Sequence, residues 1–129
     1  MRRLAPWLLF LVGILLLLSA AAHGFAGWSA MREGLAETDA SEDLTQAIGI
    51  GWLYGGAAML AFGVLVLQAW WWARAGKAGA AAIAGWISLL YLGFGGWAYV
   101  TSSFNPHFFA FLVPGVLLAV AWLGAKEGS

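Results

Sequence analysis

A continuous uncharged stretch over residues 48–72, IGIGWLYGGAAMLAFGVLVLQAWWW, limits what this chain can fold into more than any other feature. As a helix rising 1.5 Å per residue, it exceeds the ~20 residues that cross a hydrocarbon core. Glu42 and Asp43 precede the stretch, and Arg74 and Lys77 follow it. Because Lys and Arg concentrate in cytoplasmic loops, the pattern predicts a membrane-spanning helix whose C-terminal end faces the cytoplasm.

The rest of the chain has the same apolar character. Hydrophobic residues make up 63% of the 129 residues and charged residues 9%, whereas about 25% of a soluble domain is charged. We therefore expect a single membrane domain over residues 1–129, with an acidic outer connector at about 29–41. The composition of the connector predicts a short interfacial helix over about 29–37 and a turn through residues 38–40. The predicted helices cover about 4–27, 42–73, 78–100 and 106–124.

The positions of the basic residues predict the topology. Arg32 would lie on the outer side, and the bases expected on the inner side are Arg2, Arg3, Arg74, Lys77 and Lys126. This asymmetry predicts an all-α, multi-pass integral membrane protein, an antiparallel four-helix bundle with both termini cytoplasmic. The first apolar run also fits a secretory signal peptide cleaved after Ala22, and that alternative stays open.

Local signals mark the ends of the predicted helices. Ser41 suits the N-cap of the second helix, and Asn105 suits the N-cap of the fourth, with Pro106 at its first position. Gly76 and Gly79 predict a tight reversal between the second and third helices.

Several functional classes are disfavoured by what the chain lacks. Its second, third and fourth predicted helices carry no ionisable Asp, Glu, Lys or Arg in their interiors, which argues against proton-coupled transport. The chain has no cysteine, so disulfides and thiolate metal sites are excluded. No basic patch indicates nucleic-acid binding.

His23 and His107 are the two histidines, and the predicted topology places both at the outer interface. Two neutral imidazoles can hold haem iron, copper or zinc. The alternative is ordinary hydrogen bonding at the interface, which the lack of a metal-ligand spacing favours. If the chain were cleaved after Ala22, the free amino group of His23 would strengthen a copper site shared with His107.

Aromatic and small residues suggest a ligand pocket and packing surfaces. A pocket for a quinone or lipid-like molecule is a further possibility beside the histidines, and its candidate residues are Trp28, Trp52, Tyr54, Trp86 and Tyr91. Small residues at helical spacing allow close backbone approach, within the bundle by default or with a partner. The glycines predicted for this role are Gly51, Gly55, Gly56, Gly85, Gly93 and Gly96.

In its size, its four spans and a first helix ending in His23-Gly24, the chain resembles small bacterial inner-membrane proteins of the DoxX-like kind. That resemblance implies an accessory role beside redox enzymes and transfers no catalytic residue. The leading functional hypothesis is a non-enzymatic accessory, assembly or scaffold protein of the bacterial inner membrane, without a cofactor. It would pack in the lipid bilayer against a membrane-protein partner or as a homo-oligomer. The rival hypothesis is a small redox or ligand-binding protein that uses His23 and His107, with haem or copper as cofactor.

Overall fold

The computed structural model describes residues 4–126, so Arg2 and Arg3 of the predicted topology lie outside the described residues. Within that range every regular element is helical, and the all-helical expectation is confirmed there. Four helical runs are long and apolar enough to cross a membrane: Ala5–Glu37, Glu42–Arg74, Ala80–Thr101 and Pro106–Gly124.

The elements are numbered in chain order. The α-helices are α1 (Ala5–Ala22), α2 (Trp28–Glu37), α3 (Glu42–Arg74), α4 (Ala80–Thr101) and α5 (Phe109–Lys126). A π-helical turn (His23–Gly27) joins α1 to α2, and a 3-10 turn (Pro106–Phe108) leads into α5.

The first helical run is longer than the predicted first helix: it continues past residue 27 to Glu37. Gly27 and Trp28 keep helical dihedral angles, with φ of −65° and −66°. The segment that follows is rich in helix formers such as Ala, Met, Arg and Glu, and it continues the helix to Glu37. The short helix predicted in the connector is confirmed as α2, and so is the turn after it, where Asp39 has a φ of 52°. Only the predicted break near residue 27 is wrong.

The helix-end signals are confirmed. The Ser41 hydroxyl accepts a hydrogen bond from the third amide of α3 at 3.3 Å, and the Asn105 side chain accepts one from the second amide of the 3-10 turn at 2.9 Å. Gly76 and Gly79 have φ values of 65° and 99° in the reversal before α4, a region that glycine enters without steric penalty.

The helices pack as two close pairs, α1 with α3 and α4 with α5, and these pairs meet where α1 contacts α5 and α3 contacts α4. The core lies between these four helices. Its most deeply buried large side chains are Leu9, Val12, Leu16, Val66 and Leu118.

Glycines bring α1 and α3 together. A Cβ on Gly13 would lie 2.6 Å from Leu67 Cδ2, and one on Gly63 would lie 2.7 Å from Leu17 Cδ2. Both distances are below van der Waals contact, so each leucine occupies the space that a larger residue would fill.

Two further glycines play the same part between α4 and α5. A Cβ on Gly95 would lie 2.8 Å from Phe111 Cβ, and one on Gly115 would lie 2.9 Å from Leu92 Cδ2.

Only part of the predicted glycine set packs within the chain. A Cβ on Gly85 would lie 3.1 Å from the indole nitrogen of Trp122, and those on Gly55 and Gly56 would lie 3.4 and 3.5 Å from the His23 ring. The other three have nothing within 4 Å of an added Cβ, because they do not face a neighbouring helix of this chain: Gly51, Gly93 and Gly96.

Candidate ligand-binding site

A cavity of about 770 Å³ lies at the end of the bundle that contains the π turn. This main cavity is bordered by α1 and the π turn, by α2, by α3 and by the start of the last helical run. Its volume falls in the range of about 300–1,000 Å³ typical of small-molecule sites. The lining residues are Ser19, Ala22, His23, Gly27, Ala30, Met31, Gly34, Leu35, Thr38, Trp52, Met59, His107, Ala110 and Phe111.

None of these lining residues is Asp, Glu, Lys or Arg. The polar side chains are His23, His107, Ser19 and Thr38, together with the indole N–H of Trp52. A charged ligand group would find no opposite charge in the cavity, whereas an uncharged hydrogen-bonding group would find both donors and acceptors. The lining therefore suits an apolar molecule with an uncharged polar end.

His23 and Trp52 are joined by a ring stack and two hydrogen bonds. Their rings stack with centroids 4.3 Å apart and planes 4° apart. The Trp52 indole N–H donates to the His23 carbonyl at 2.8 Å, and His23 Nε2 lies 3.1 Å from the Trp52 carbonyl. Since a carbonyl only accepts, Nε2 carries the proton and donates, which leaves Nδ1 of a neutral ring as an acceptor.

Glycines make room for this arrangement. A Cβ on Gly27 would lie 3.0 Å from the Trp52 ring, and one on Gly49 would lie 2.7 Å from the Trp28 ring. The π turn adds a wider loop to the helix at this point, a feature frequent at functional sites. Gly27 and Gly49 thus let two indoles lie between the first helical run and α3.

His107 lines the same cavity from the 3-10 turn that leads into α5. It is exposed in the 3-10 turn, and its ring meets Phe108 edge-on, with centroids 6.0 Å apart. The structure therefore brings His23 and His107 to one cavity, as lining residues from helical runs far apart in sequence.

The hydrogen bond of His23 limits how its ring could hold a metal ion, because Nε2 is engaged and Nδ1 is the ligand atom that remains. Among residues 4–126, no group of three or more His, Cys, Asp or Glu side chains is placed to hold a metal ion. His23 Nε2 already bonds the Trp52 carbonyl, and one ring face is covered by the indole. A haem or copper ion bound through Nε2 would have to break that bond.

A backbone carbonyl adds to the polar groups of the cavity. Pro114 lies inside α5 and has no N–H, so the Ala110 carbonyl lacks the donor that it would have in a regular α-helix. Ala110 is one of the lining residues, and its carbonyl is a candidate acceptor for a ligand hydroxyl.

The aromatic residues predicted for a ligand pocket do not share one. Trp52 lines the main cavity, and Trp28 packs on α3 beside it. Tyr54 is 76% exposed and Trp86 is 69% exposed, with Trp86 bordering a separate cavity of about 430 Å³ between α4 and α5. Tyr91 is only 4% exposed and borders a third cavity of about 210 Å³.

Sequence reasoning missed the contribution of α2. The residues of α2 and its C-terminal end that line the main cavity recur at helical spacing: Ala30, Met31, Gly34, Leu35 and Thr38. Arg32, Glu33 and Glu37 are absent from that lining. This separation of small or apolar residues from charged ones is the amphipathic signal that could have identified the surface.

Comparisons of the chain with protein-family models, with curated proteins and with solved structures give no match. The resemblance to DoxX-like proteins stays a prediction, and the functional argument rests on the geometry of the main cavity.

Proposed function

We propose that this chain is a multi-pass protein of the bacterial inner membrane that binds an uncharged amphiphile in the main cavity. The observation that carries the proposal is a cavity of about 770 Å³ that has no charged lining residue and includes both histidines of the chain. His23 is held in place by Trp52, so one polar group of the site is fixed before a ligand arrives, which lowers the entropy lost on binding.

The location of the cavity fits a ligand taken from the bilayer. The four spanning runs have apolar surfaces long enough for the hydrocarbon core. The acidic face of α2 and the turn at Asp39 belong at a membrane surface. A ligand in the main cavity would therefore hold its polar end near that surface and its apolar chain between the helices.

An antiparallel bundle with both termini cytoplasmic is the topology that we propose for this function. Contacts between the first helical run and α3 support it, because residue numbers fall along α3 as they rise along the first run, which is the order in an antiparallel pair. The contacting pairs are Phe10 with Trp70, Gly13 with Leu67, Leu17 with Gly63, and His23 with Trp52. Arg74 lies 5.5 Å from the centre of the Trp70 ring, a cation and an indole at the end that we assign to the cytoplasm.

Cysteine labelling tests this topology, because the chain has no cysteine of its own. Single variants Asp39→Cys and Lys77→Cys are exposed to a membrane-impermeant maleimide in spheroplasts. We expect labelling of Asp39→Cys in intact spheroplasts and of Lys77→Cys only after lysis. Labelling of both positions without lysis contradicts the topology.

Binding is tested by filling the cavity from α2. Gly34 lines the main cavity and has no heavy atom within 4 Å of an added Cβ, so Gly34→Phe places a ring there without a backbone clash. Gly51 has equally open space but does not line the cavity, which makes Gly51→Phe the matched control.

The probe is monoolein, a neutral lipid with one chain, one ester carbonyl and two hydroxyls. Native mass spectrometry of the detergent-solubilised full chain, titrated with monoolein, is expected to show one saturable bound molecule in the wild type and in Gly51→Phe. Gly34→Phe is expected to lose it. Equal, non-saturating binding in all three proteins refutes the proposed function.

The accessory or scaffold function is a second candidate, favoured by one observation. Gly93 and Gly96 on α4 have open space where a side chain would be, which leaves room for a second helix to approach closely. Gly93→Leu would block that approach without affecting the packing of this chain. Loss of a cross-linked partner or dimer in Gly93→Leu supports this candidate, and unchanged cross-linking removes it.

A further inference from the structure

A further cavity, with a different chemistry, lies where α1 begins and α3 ends. This arginine cavity has a volume of about 300 Å³ and is lined by Pro6, Trp7, Trp70 and Arg74. At 1.5 Å per residue, Pro6 lies about 25 Å from His23 along the first helical run. The arginine cavity and the main cavity are therefore separate sites at opposite ends of the bundle.

Every polar side-chain group in the lining of the arginine cavity is a hydrogen-bond donor. The guanidinium of Arg74 carries five N–H groups, each indole carries one, and none of these side chains contains an acceptor. The ring of Pro6 is apolar. The lining therefore suits a ligand group that accepts hydrogen bonds and has none to donate.

Arg74 is held at this cavity by aromatic contacts. Its Cζ atom lies 5.5 Å from the centre of the Trp70 ring, within the range of cation–π attraction. Trp70 packs in turn on Phe10 of α1, with ring centroids 5.0 Å apart. Because a guanidinium stays protonated in proteins, this contact positions the charge of Arg74 without neutralising it.

That charge has no carboxylate partner among residues 4–126. All acids of this range lie between residues 33 and 43, and Glu42, at the start of α3, is about 48 Å from Arg74 at 1.5 Å per residue. This separation is several times the Debye length of about 8 Å at physiological salt. The sixth acid of the chain, Glu127, lies outside the described residues.

The helix dipoles leave the charge at the cavity unchanged. The positive N-terminal end of α1 and the negative C-terminal end of α3 meet there, and their partial charges are of opposite sign and similar size. The guanidinium therefore gives the cavity a net charge of about +1.

Indole rings place the arginine cavity at the level of the lipid headgroups. Trp7 is 69% exposed, and Trp70 begins the run of three tryptophans that closes the apolar part of α3. Tryptophan concentrates at membrane–water interfaces. The phosphodiester of a phospholipid lies at this depth, carries one negative charge and offers two free oxygens that only accept, the geometry that arginine binds with two parallel hydrogen bonds.

A zwitterionic headgroup fits this cavity less well than an anionic one. Its ammonium group would find no carboxylate in the lining, and the Trp70 ring already contacts the guanidinium of Arg74. A headgroup whose only charge is its phosphate leaves no cation unpaired.

We propose that the arginine cavity binds the phosphodiester of an anionic phospholipid from the leaflet in which α3 ends. Arg74 holds the two free phosphate oxygens, and Trp7 and Trp70 flank the headgroup. This site goes beyond the proposed function, because it lies outside the main cavity and takes a charged lipid.

Two lipids and two matched variants test the proposal. The lipids are phosphatidylglycerol and phosphatidylcholine with identical acyl chains. The variants are Arg74→Gln, which removes the guanidinium, and Lys77→Gln, which removes a charge three residues further along the chain. Lys77 is exposed and does not line the arginine cavity.

Dissociation constants are measured by native mass spectrometry of each full-length protein, titrated in a neutral detergent. The wild type and Lys77→Gln are expected to bind phosphatidylglycerol about five- to thirtyfold more tightly than phosphatidylcholine, the ratio of a charge-assisted contact. Arg74→Gln is expected to bind the two lipids equally. A preference that survives in Arg74→Gln overturns the proposal, as does its absence in the wild type or an equal loss in both variants.

A third variant separates a shaped site from general attraction by positive charge. Arg74→Lys keeps the charge but cannot form two parallel hydrogen bonds with a phosphate, so its affinity for phosphatidylglycerol should lie between those of the wild type and Arg74→Gln. Wild-type affinity in Arg74→Lys would contradict bidentate binding. The helical circular dichroism of all variants should match that of the wild type, since Arg74 is exposed at the end of α3.

Inorganic phosphate distinguishes a lipid from a free anion. At a concentration equal to that of the lipid, it should not displace phosphatidylglycerol from the wild type, because it lacks the acyl chains that bind beside the helices. Displacement would assign the cavity to free phosphate and overturn the proposal. Monoolein carries no charge, so its binding to the main cavity should be the same in Arg74→Gln and the wild type.

Discussion

Replacing Gly95 by alanine tests how closely α4 and α5 approach. The added Cβ would lie 2.8 Å from Phe111 Cβ and 3.3 Å from Leu112 Cδ2. Carbon atoms pack at about 3.5–4.0 Å, so at least ~0.7 Å of movement is needed. A Cβ atom cannot rotate away as the end of a side chain can, and the backbone of α5 must therefore shift.

The expected net effect follows from two opposing contributions. Overpacking of this kind costs about 1–3 kcal/mol, while alanine in place of glycine stabilises a helix interior by about 0.5–1 kcal/mol. Gly95→Ala should therefore lower the free energy of unfolding by up to about 2.5 kcal/mol. Gly93 lies two positions away, and an added Cβ there would have no heavy atom within 4 Å. Gly93→Ala should therefore show only the gain in helix propensity and raise the free energy of unfolding by up to ~1 kcal/mol.

Reversible unfolding of the two variants in mixed detergent micelles, followed by the helical circular dichroism signal, measures this difference. The site supplies a second readout, because Phe111 lines the main cavity. Monoolein affinity is expected to change in Gly95→Ala and not in Gly93→Ala. Equal stability of the two variants, or a more stable Gly95→Ala, would refute the packing of α4 against α5 described above.

Three further substitutions test individual hydrogen bonds by the same unfolding assay. Trp52→Phe removes the indole bond to the His23 carbonyl and should cost about 0.5–1.5 kcal/mol as well as weaken monoolein binding; unchanged binding would show that this contact does not hold the site. Ser88→Ala removes a buried bond to the Gly115 carbonyl, 2.9 Å long, and should cost about 0.5–1.5 kcal/mol with monoolein affinity retained, so a neutral result argues against that bond. Ser41→Ala removes the N-cap of α3 and should cost about 0.5–2 kcal/mol, with faster amide exchange confined to the first turn; uniform exchange along α3 would contradict its capping role.

The sequence predicts the helical runs well because their signals are local. A long uncharged segment can satisfy its backbone in lipid only as a helix or within a closed barrel, and Ser41 and Asn105 mark helix starts by the chemistry of their own side chains. The error at residue 27 has a local origin too. The predicted break near residue 27 coincides with Gly24 and Gly27, but glycine permits non-helical dihedral angles without requiring them.

The packing glycines could not be identified in the same way. Gly93 and Gly96 were predicted from their spacing, yet among these neighbouring glycines it is Gly95, between them, that faces α5. Successive residues of a helix point about 100° apart, so the face that packs depends on how each helix is rotated about its axis. That rotation is fixed by the partner helix, which the sequence of one helix does not specify.

The site shows the same limit. Both histidines were predicted as site residues, because the predicted topology puts them at one end of the bundle. The structure places them on one cavity. Met59 and Phe111 carried no chemical signal in the sequence. Their role follows from the place where three helical runs meet, which depends on long-range packing.

The position of a bound lipid in the bilayer tests the central claim most directly. A monoolein analogue with a photoreactive diazirine in its chain is irradiated with the protein in liposomes, and the modified residues are identified by peptide mass spectrometry. We predict adducts at Met59 and Phe111 that disappear with excess unlabelled monoolein. Adducts confined to exposed side chains such as Leu89 and Trp97, with no competition by unlabelled lipid, would contradict a ligand-binding cavity.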